Sequence, residues 1–201
     1  MTTPARRDAT DAILDAAERL LVDTGYATIT TRRLAERAGV NHGLVHYYFG
    51  SMDEVLLRTL DRFTDRLIER QRAMYGAPGP FVDKWRQAMR FLDEDLESGY
   101  QKIWLELQAM SWNKPTSRAR LQHVHHEWMD VVVPAFEAGL AELGVDTERF
   151  PVRAIASLVV TFNQGIMLER LGGVDSGHRA LLATIEQILG SLEVHNARPP
   201  A

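Results

Sequence analysis

Three groups of side chains have the chemistry to act on another molecule. The first is the stretch LAERAGVNHGLVHYYF, Leu34 to Phe49, with Arg32 and Arg33 just ahead of it. Two histidines, two tyrosines and an asparagine surround Gly43 there. Imidazoles, phenols, an amide and guanidinium groups suit hydrogen bonding to phosphate and to flat polar rings better than they suit bond breaking. The second group is aromatic and spread over the middle of the chain: Trp85, Trp104, Trp112 and Trp128, with Tyr100, Met89, Met110, Met129 and Met167 and the polar Glu106, Gln108, Asn163 and Gln164. Such a mixture resembles the lining of a ligand pocket, which is apolar with a few placed polar groups. The third is HVHHEW at 123–128, where His123 stands four residues before Glu127 and three before His126. A helical zinc-hydrolase pattern needs two histidines four apart with glutamate after the first. That spacing is missing here, cysteine is absent and no carboxylate cluster lies nearby, so no metal and no cofactor is expected. Nor does any nucleophile–base pair or phosphate-cradling glycine loop appear, and an enzyme is not predicted.

These groups need elements to position them. The chain has 201 residues, 45% hydrophobic and 25% charged, a balance that folds rather than stays disordered. No apolar run reaches the ~18 residues that cross a membrane, and MTTPARRDAT lacks the apolar core of a secretory signal. With no cysteines, a cytoplasmic protein without a membrane partner is expected. Net charge is −4, yet from Thr30 to Gly50 three arginines stand against one glutamate, a local +2.

Periodicity is helical throughout. Thr3-Pro4 reads as a cap and first turn, followed by Ala9, Ile13, Ala16, Ala17, Leu20 and Leu21 up to Gly25. Thr30 can cap a short second helix and Asn41 a third, with Gly39 turning the chain between them. Ser51 and Glu54 form a capping box for a fourth helix. YGAPGP at 75–80 breaks the chain, and further helices are predicted over 81–97, 100–112, 117–143, 150–171 and 176–193. Pro134 should kink or split the seventh. The prediction is an all-α fold of about nine helices. A three-helix head, 1–50, would precede a larger helical body, 51–201.

Two short helices joined by a glycine turn make a helix-turn-helix, whose second helix enters the DNA major groove. The charge and the tyrosines fit that use. At this point the chain resembles the TetR family of bacterial transcription regulators, through Gly25-Tyr26, Thr30, RRLAERAGV, Gly43, Phe49 and SMDEVL. The resemblance is close over the first 60 residues or so and lies in size and helical layout beyond them. It implies a head core of Leu34, Ala35, Ala38, Val40, Val45 and Phe49. It also implies a DNA face of Thr30, Arg32, Arg33, Asn41, His42, Gly43, His46, Tyr47 and Tyr48. Three departures stand out: His46 where the family usually has tyrosine, Tyr48 where histidine is frequent, and Met52 in place of a phosphate-touching lysine. Loss of that lysine should lower the salt slope by up to about one unit.

A head this small reads few base pairs, so a homodimer on a palindromic double-stranded operator is expected. The eighth and ninth helices carry apolar stripes that suit dimerisation: Ile155, Leu158, Val159, Phe162 and Ile166, then Leu181, Ile185, Ile188 and Leu192. A small-molecule effector, hydrophobic or aromatic, is expected to touch Trp85, Trp104, Gln108, Met110, Trp112, Trp128, Phe162, Asn163 and Met167. Together these readings describe a repressor released from its operator by an organic ligand. A helical ligand carrier, or a protein-interaction module that keeps the head without regulatory DNA binding, is the alternative.

Overall fold

A computed structural model describes residues 4–196, with side chains from Asp8 onward. The expected Thr3 cap lies outside the described residues. Among those residues the fold is all-α, with nine helices: α1 (Pro4–Thr24), α2 (Thr31–Ala38), α3 (His42–Phe49), α4 (Met52–Gly76), α5 (Phe81–Glu97), α6 (Tyr100–Ser111), α7 (Pro115–Glu142), α8 (Val152–Leu171) and α9 (His178–Asn196). A single 3-10 turn, Tyr26–Thr28, separates α1 from α2. The helix ends follow from capping chemistry. The Thr30 side chain accepts the Arg33 N–H, that of Asn41 accepts the Gly43 N–H, and the Ser51 hydroxyl accepts the Glu54 N–H at 3.1 Å. Gly39 closes α2 at φ 68°, where its N–H reaches back to Ala35 and Glu36. Pro134 sits inside α7 without splitting it. A helix of this length, with further turns on either side, tolerates one missing hydrogen bond where a short helix would break.

The chain divides into two compact units. One runs through Arg66 and includes Ser98–Val124; the other holds Leu67–Glu97 and the chain from His125. In the first, Ile13, Leu14, Ala16, Ala17, Leu20, Leu34, Ala35, Val45, Phe49 and Val55 form one buried cluster, with Ala38, Val40, Tyr48 and Met52 packed against it. Charge reinforces this core at its edge. Arg62 of α4 donates to Asp15 at 2.6 Å and to Glu18 at 3.1 Å, and Arg66 donates to both Glu18 oxygens. Guanidinium–carboxylate contacts with a nearly buried Glu18 hold more firmly than open surface pairs.

In the second unit Phe81, Val82 and Trp85 of α5 meet Met129, Val132, Phe136 and Leu143, with Ala156 of α8. The Phe81 and Phe136 rings meet edge to face at 5.3 Å. Asp95 is buried beside Arg70, whose guanidinium also lies over the Phe91 ring, 4.2 Å from its centre. Burial pushes the Asp95 carboxyl up from its ordinary range, and Arg70 opposes that shift.

Candidate nucleic-acid interface

The first unit carries the residues of the expected DNA face on two short helices and the cap before them, backed by one core. Val45 and Phe49 of α3 point inward, 2% and 5% exposed, so the alternate faces of this eight-residue helix are committed in opposite directions. His42, Gly43, His46 and Tyr47 are exposed. Tyr47 is 76% exposed, the largest value among the bulky apolar and aromatic side chains. Tyr48 is half-buried against the head core, its ring 5.1 Å from that of Tyr47 and nearly perpendicular to it. The two tyrosines thus have different surroundings: one ring stands free and the other is partly spent on packing.

Arg32 stands exposed on α2 and pairs with Glu36 at 3.3 Å. An exposed pair at this spacing contributes about 0.5 kcal/mol, so a phosphate can displace it. Arg33 is half-buried and donates to the Thr28 carbonyl at 3.4 Å, which anchors the start of α2 to the preceding turn. Arg37 pairs with Asp23 at 3.2 Å, away from the DNA-face set. At the leading end of α3 the Asn41 amide oxygen satisfies one free N–H, and the remaining N–H groups and the helix dipole favour an anion. Nothing lies within 4 Å of the place where a Cβ at Gly43 would sit apart from the Asn41 oxygen at 3.4 Å, so the backbone there is open to close approach.

The residues expected to touch an effector are divided between the units. Trp104, Gln108, Met110 and Trp112 belong to the first, where Met110 is buried and Trp112 is 69% exposed at the end of α6. Trp85, Trp128, Phe162, Asn163 and Met167 belong to the second. There Trp85 and Met167 are buried, and the Trp85 and Phe162 rings lie 6.3 Å apart. The Asn163 amide oxygen is buried with no hydrogen-bond partner.

Of the dimer stripe, Leu158, Leu181 and Ile188 are exposed, at 66%, 44% and 55%. Ile166 is buried, while Ile155, Val159, Phe162, Ile185 and Leu192 pack against the core of their own unit. Leu168, Leu171, Val174 and Val194 are exposed as well and fall outside the predicted stripe. Their only signal in the sequence is hydrophobicity off the chosen face. No three histidine or carboxylate groups among the described residues gather as metal ligands, and no described helix is long and apolar enough to cross a membrane.

Comparison with known proteins leads to the same head. The sequence profile described as bacterial regulatory proteins, tetR family, matches residues 13–59, from the core of α1 through the start of α4. The HTH-type transcriptional regulator BetI of Burkholderia thailandensis is 31% identical over 117 residues, 56% of this chain. That alignment spans 59% of the curated relative's length. Among solved structures, a transcriptional regulator from Saccharomonospora viridis in complex with choline is 19% identical, with a TM-score of 0.71 over 94% of this chain and 97% of that one. FadR from Bacillus subtilis in complex with stearoyl-CoA is 16% identical, with a TM-score of 0.72 over 89% and 96%. With the helix-turn-helix and its two capped helices accounted for, residues 13–59 match the tetR family of bacterial regulatory proteins, and the order of the nine helices is that of the solved regulators.

Proposed function

We propose that the protein is a homodimeric, ligand-responsive transcriptional regulator that works in the cytoplasm as a repressor on a palindromic operator. The observation that carries this reading is the division of labour within α3. Val45 and Phe49 are spent on the core, while Tyr47 stands three-quarters exposed beside His46 and the Asn41-capped helix start. A helix that displays rings and polar groups to solvent at this cost has a partner for them, and DNA suits their chemistry. In this reading residues 1–50 form the DNA-binding domain and 51–201 the ligand-binding and dimerisation domain. Thr30, Arg32 and Arg33 hold phosphates, and Asn41, His42, Gly43, His46, Tyr47 and Tyr48 enter the groove.

Two copies would join through α8 and α9, where Leu158, Leu181 and Ile188 are the exposed members of the stripe. The effector is a small organic molecule. Asn163, with its unpaired amide oxygen beside Phe162 and Met167, supports a polar contact to it. The names of the similar structures do not narrow the effector further, since choline and stearoyl-CoA share little chemistry. Release requires that the effector bind the DNA-incompetent arrangement more tightly than the competent one.

The test is selection of random double-stranded DNA by the purified full-length protein at near-physiological salt. A two-fold symmetric enriched site is the expected result. No enrichment, at low salt as well, would remove the DNA-binding reading.

A further inference from the structure

The end of α1 leaves an open pair. In a continuing helix the Tyr26 N–H would donate to the Val22 carbonyl four residues back. Gly25, at φ 76°, turns the chain before that bond can form. Both groups are satisfied instead from α6, some 80 residues away. The Lys102 ammonium donates to the Val22 carbonyl at 3.2 Å, and the Glu106 carboxylate accepts the Tyr26 N–H. Lys102 and Glu106 are four residues apart, hence on one face of α6. A single helix face thus supplies both the donor and the acceptor that the end of α1 lacks. The fit is close: a Cβ at Gly25 would lie 2.6 Å from a Glu106 oxygen. A third tie comes from the residue before α7, where Lys114 donates to both Asp53 oxygens at 2.6 and 2.7 Å, in the first turn of α4. Between the first two, Ile103 is fully buried and anchors α6 by apolar contact as well.

We infer that Lys102 and Glu106 are positioning residues of the DNA-reading unit, and that α6 is part of that unit rather than an appendage to it. The inference rests on the DNA-binding reading above and extends it. The path from the tie to the DNA face is short and bonded throughout. Tyr26 opens the 3-10 turn, the Thr28 carbonyl of that turn accepts from Arg33, and Thr30 caps the helix that carries Arg32. Charge-assisted hydrogen bonds are the strong ones, and these two define where the turn at 25–29 sits, hence where α2 starts.

The experiment compares wild type with Glu106→Ala, Glu106→Gln and Lys102→Met, all as full-length protein. Amide hydrogen exchange is followed peptide by peptide, and affinity is measured for the double-stranded site that wild type selects. Exchange of the 25–29 amides should rise roughly tenfold or more in Glu106→Ala and less in Glu106→Gln, which keeps an acceptor without its charge. Peptides from 125–196 should be unchanged, and affinity for the site should fall at least about fivefold. Unchanged exchange at 25–29, an equal rise over the whole chain, or a local rise with full DNA affinity would each overturn the inference. If Glu106→Ala does not fold, the Gln and Lys102→Met proteins decide the matter by the same readings. If wild type selects no site but the local rise still appears, the tie to α6 stands and the DNA-binding reading falls. If wild type selects a site and the variants match it in both readings, the reverse holds.

Discussion

Tyr47 is the residue on which the functional reading is most exposed to test. Its ring contributes nothing to the core, whereas that of Tyr48 does. Tyr47→Ala should therefore weaken binding to the selected site roughly tenfold or more, in line with about 1–3 kcal/mol for a specific groove contact. Its thermal midpoint should stay within about a degree of wild type, because surface changes rarely exceed half a kilocalorie. Fluorescence anisotropy on labelled DNA and circular dichroism would measure the two quantities; equal DNA affinity would take Tyr47 off the interface. A second residue-scale prediction concerns Tyr75. Burial pushes its phenol up from 10.0 to about 12. The unfolded chain would ionise this group near pH 10, and the folded chain holds the proton longer. The stability it confers is then complete below pH 10 and is lost as pH rises through 12, at up to about 1.4 kcal/mol per pH unit in that window. In an ultraviolet titration of the phenols, Tyr75→Phe should lack the late step. A late step that persists in the variant would place it on another tyrosine.

At the scale of elements, most helices were legible because each carries its own start and stop. Thr30, Asn41 and Ser51 are caps whose chemistry acts locally, and all three make the bond their type suggests. The fifth helix begins and ends at the predicted residues for the same reason, between YGAPGP and Gly99. Pro134 reads as a kink or a split, and α7 runs through it unsplit, since a long helix has other turns to hold it. The faces of α8 and α9 were harder to assign. An apolar stripe on a helix has the same spacing whether it meets its own chain or another, so Ile185 and Ile188 look alike in the sequence. The structure separates them: Ile185 packs on the core of its unit, and Ile188 is 55% exposed. Replacing the two most exposed stripe members, Leu158→Glu with Ile188→Glu, should convert a dimer into monomers, because four unpaired carboxylates would be desolvated in each interface. Sedimentation would show the halved mass, with helical content unchanged by circular dichroism. Ile185→Glu should instead lower thermal stability. A dimer that survives the double change would move the interface off these faces.

Over the whole molecule, the head was readable down to single residues and the body only to its outline. Leu34, Ala35, Val45 and Phe49 are buried, as the resemblance of the head to the TetR family implies. Trp85 and Trp104 were grouped in one expected effector set by residue type, since contacts between distant helices leave no local mark in the spacing. The tie between Tyr26 and Glu106 is of the same kind: a glycine–tyrosine pair is visible in the sequence, but nothing near it announces a carboxylate 80 residues on.

That separation also sets how early in synthesis the head can be completed. The first compact unit needs Ser98–Val124 as well as the chain through Arg66. When the three head helices have just emerged from the ribosome, Val22 and Tyr26 still lack the partners that α6 will bring. The head is therefore finished late in synthesis, after the 67–97 segment, which belongs to the other unit, has already passed. A nascent chain halted before Lys102 would carry every residue of the proposed DNA face and still be short of the lysine and carboxylate that complete the end of α1.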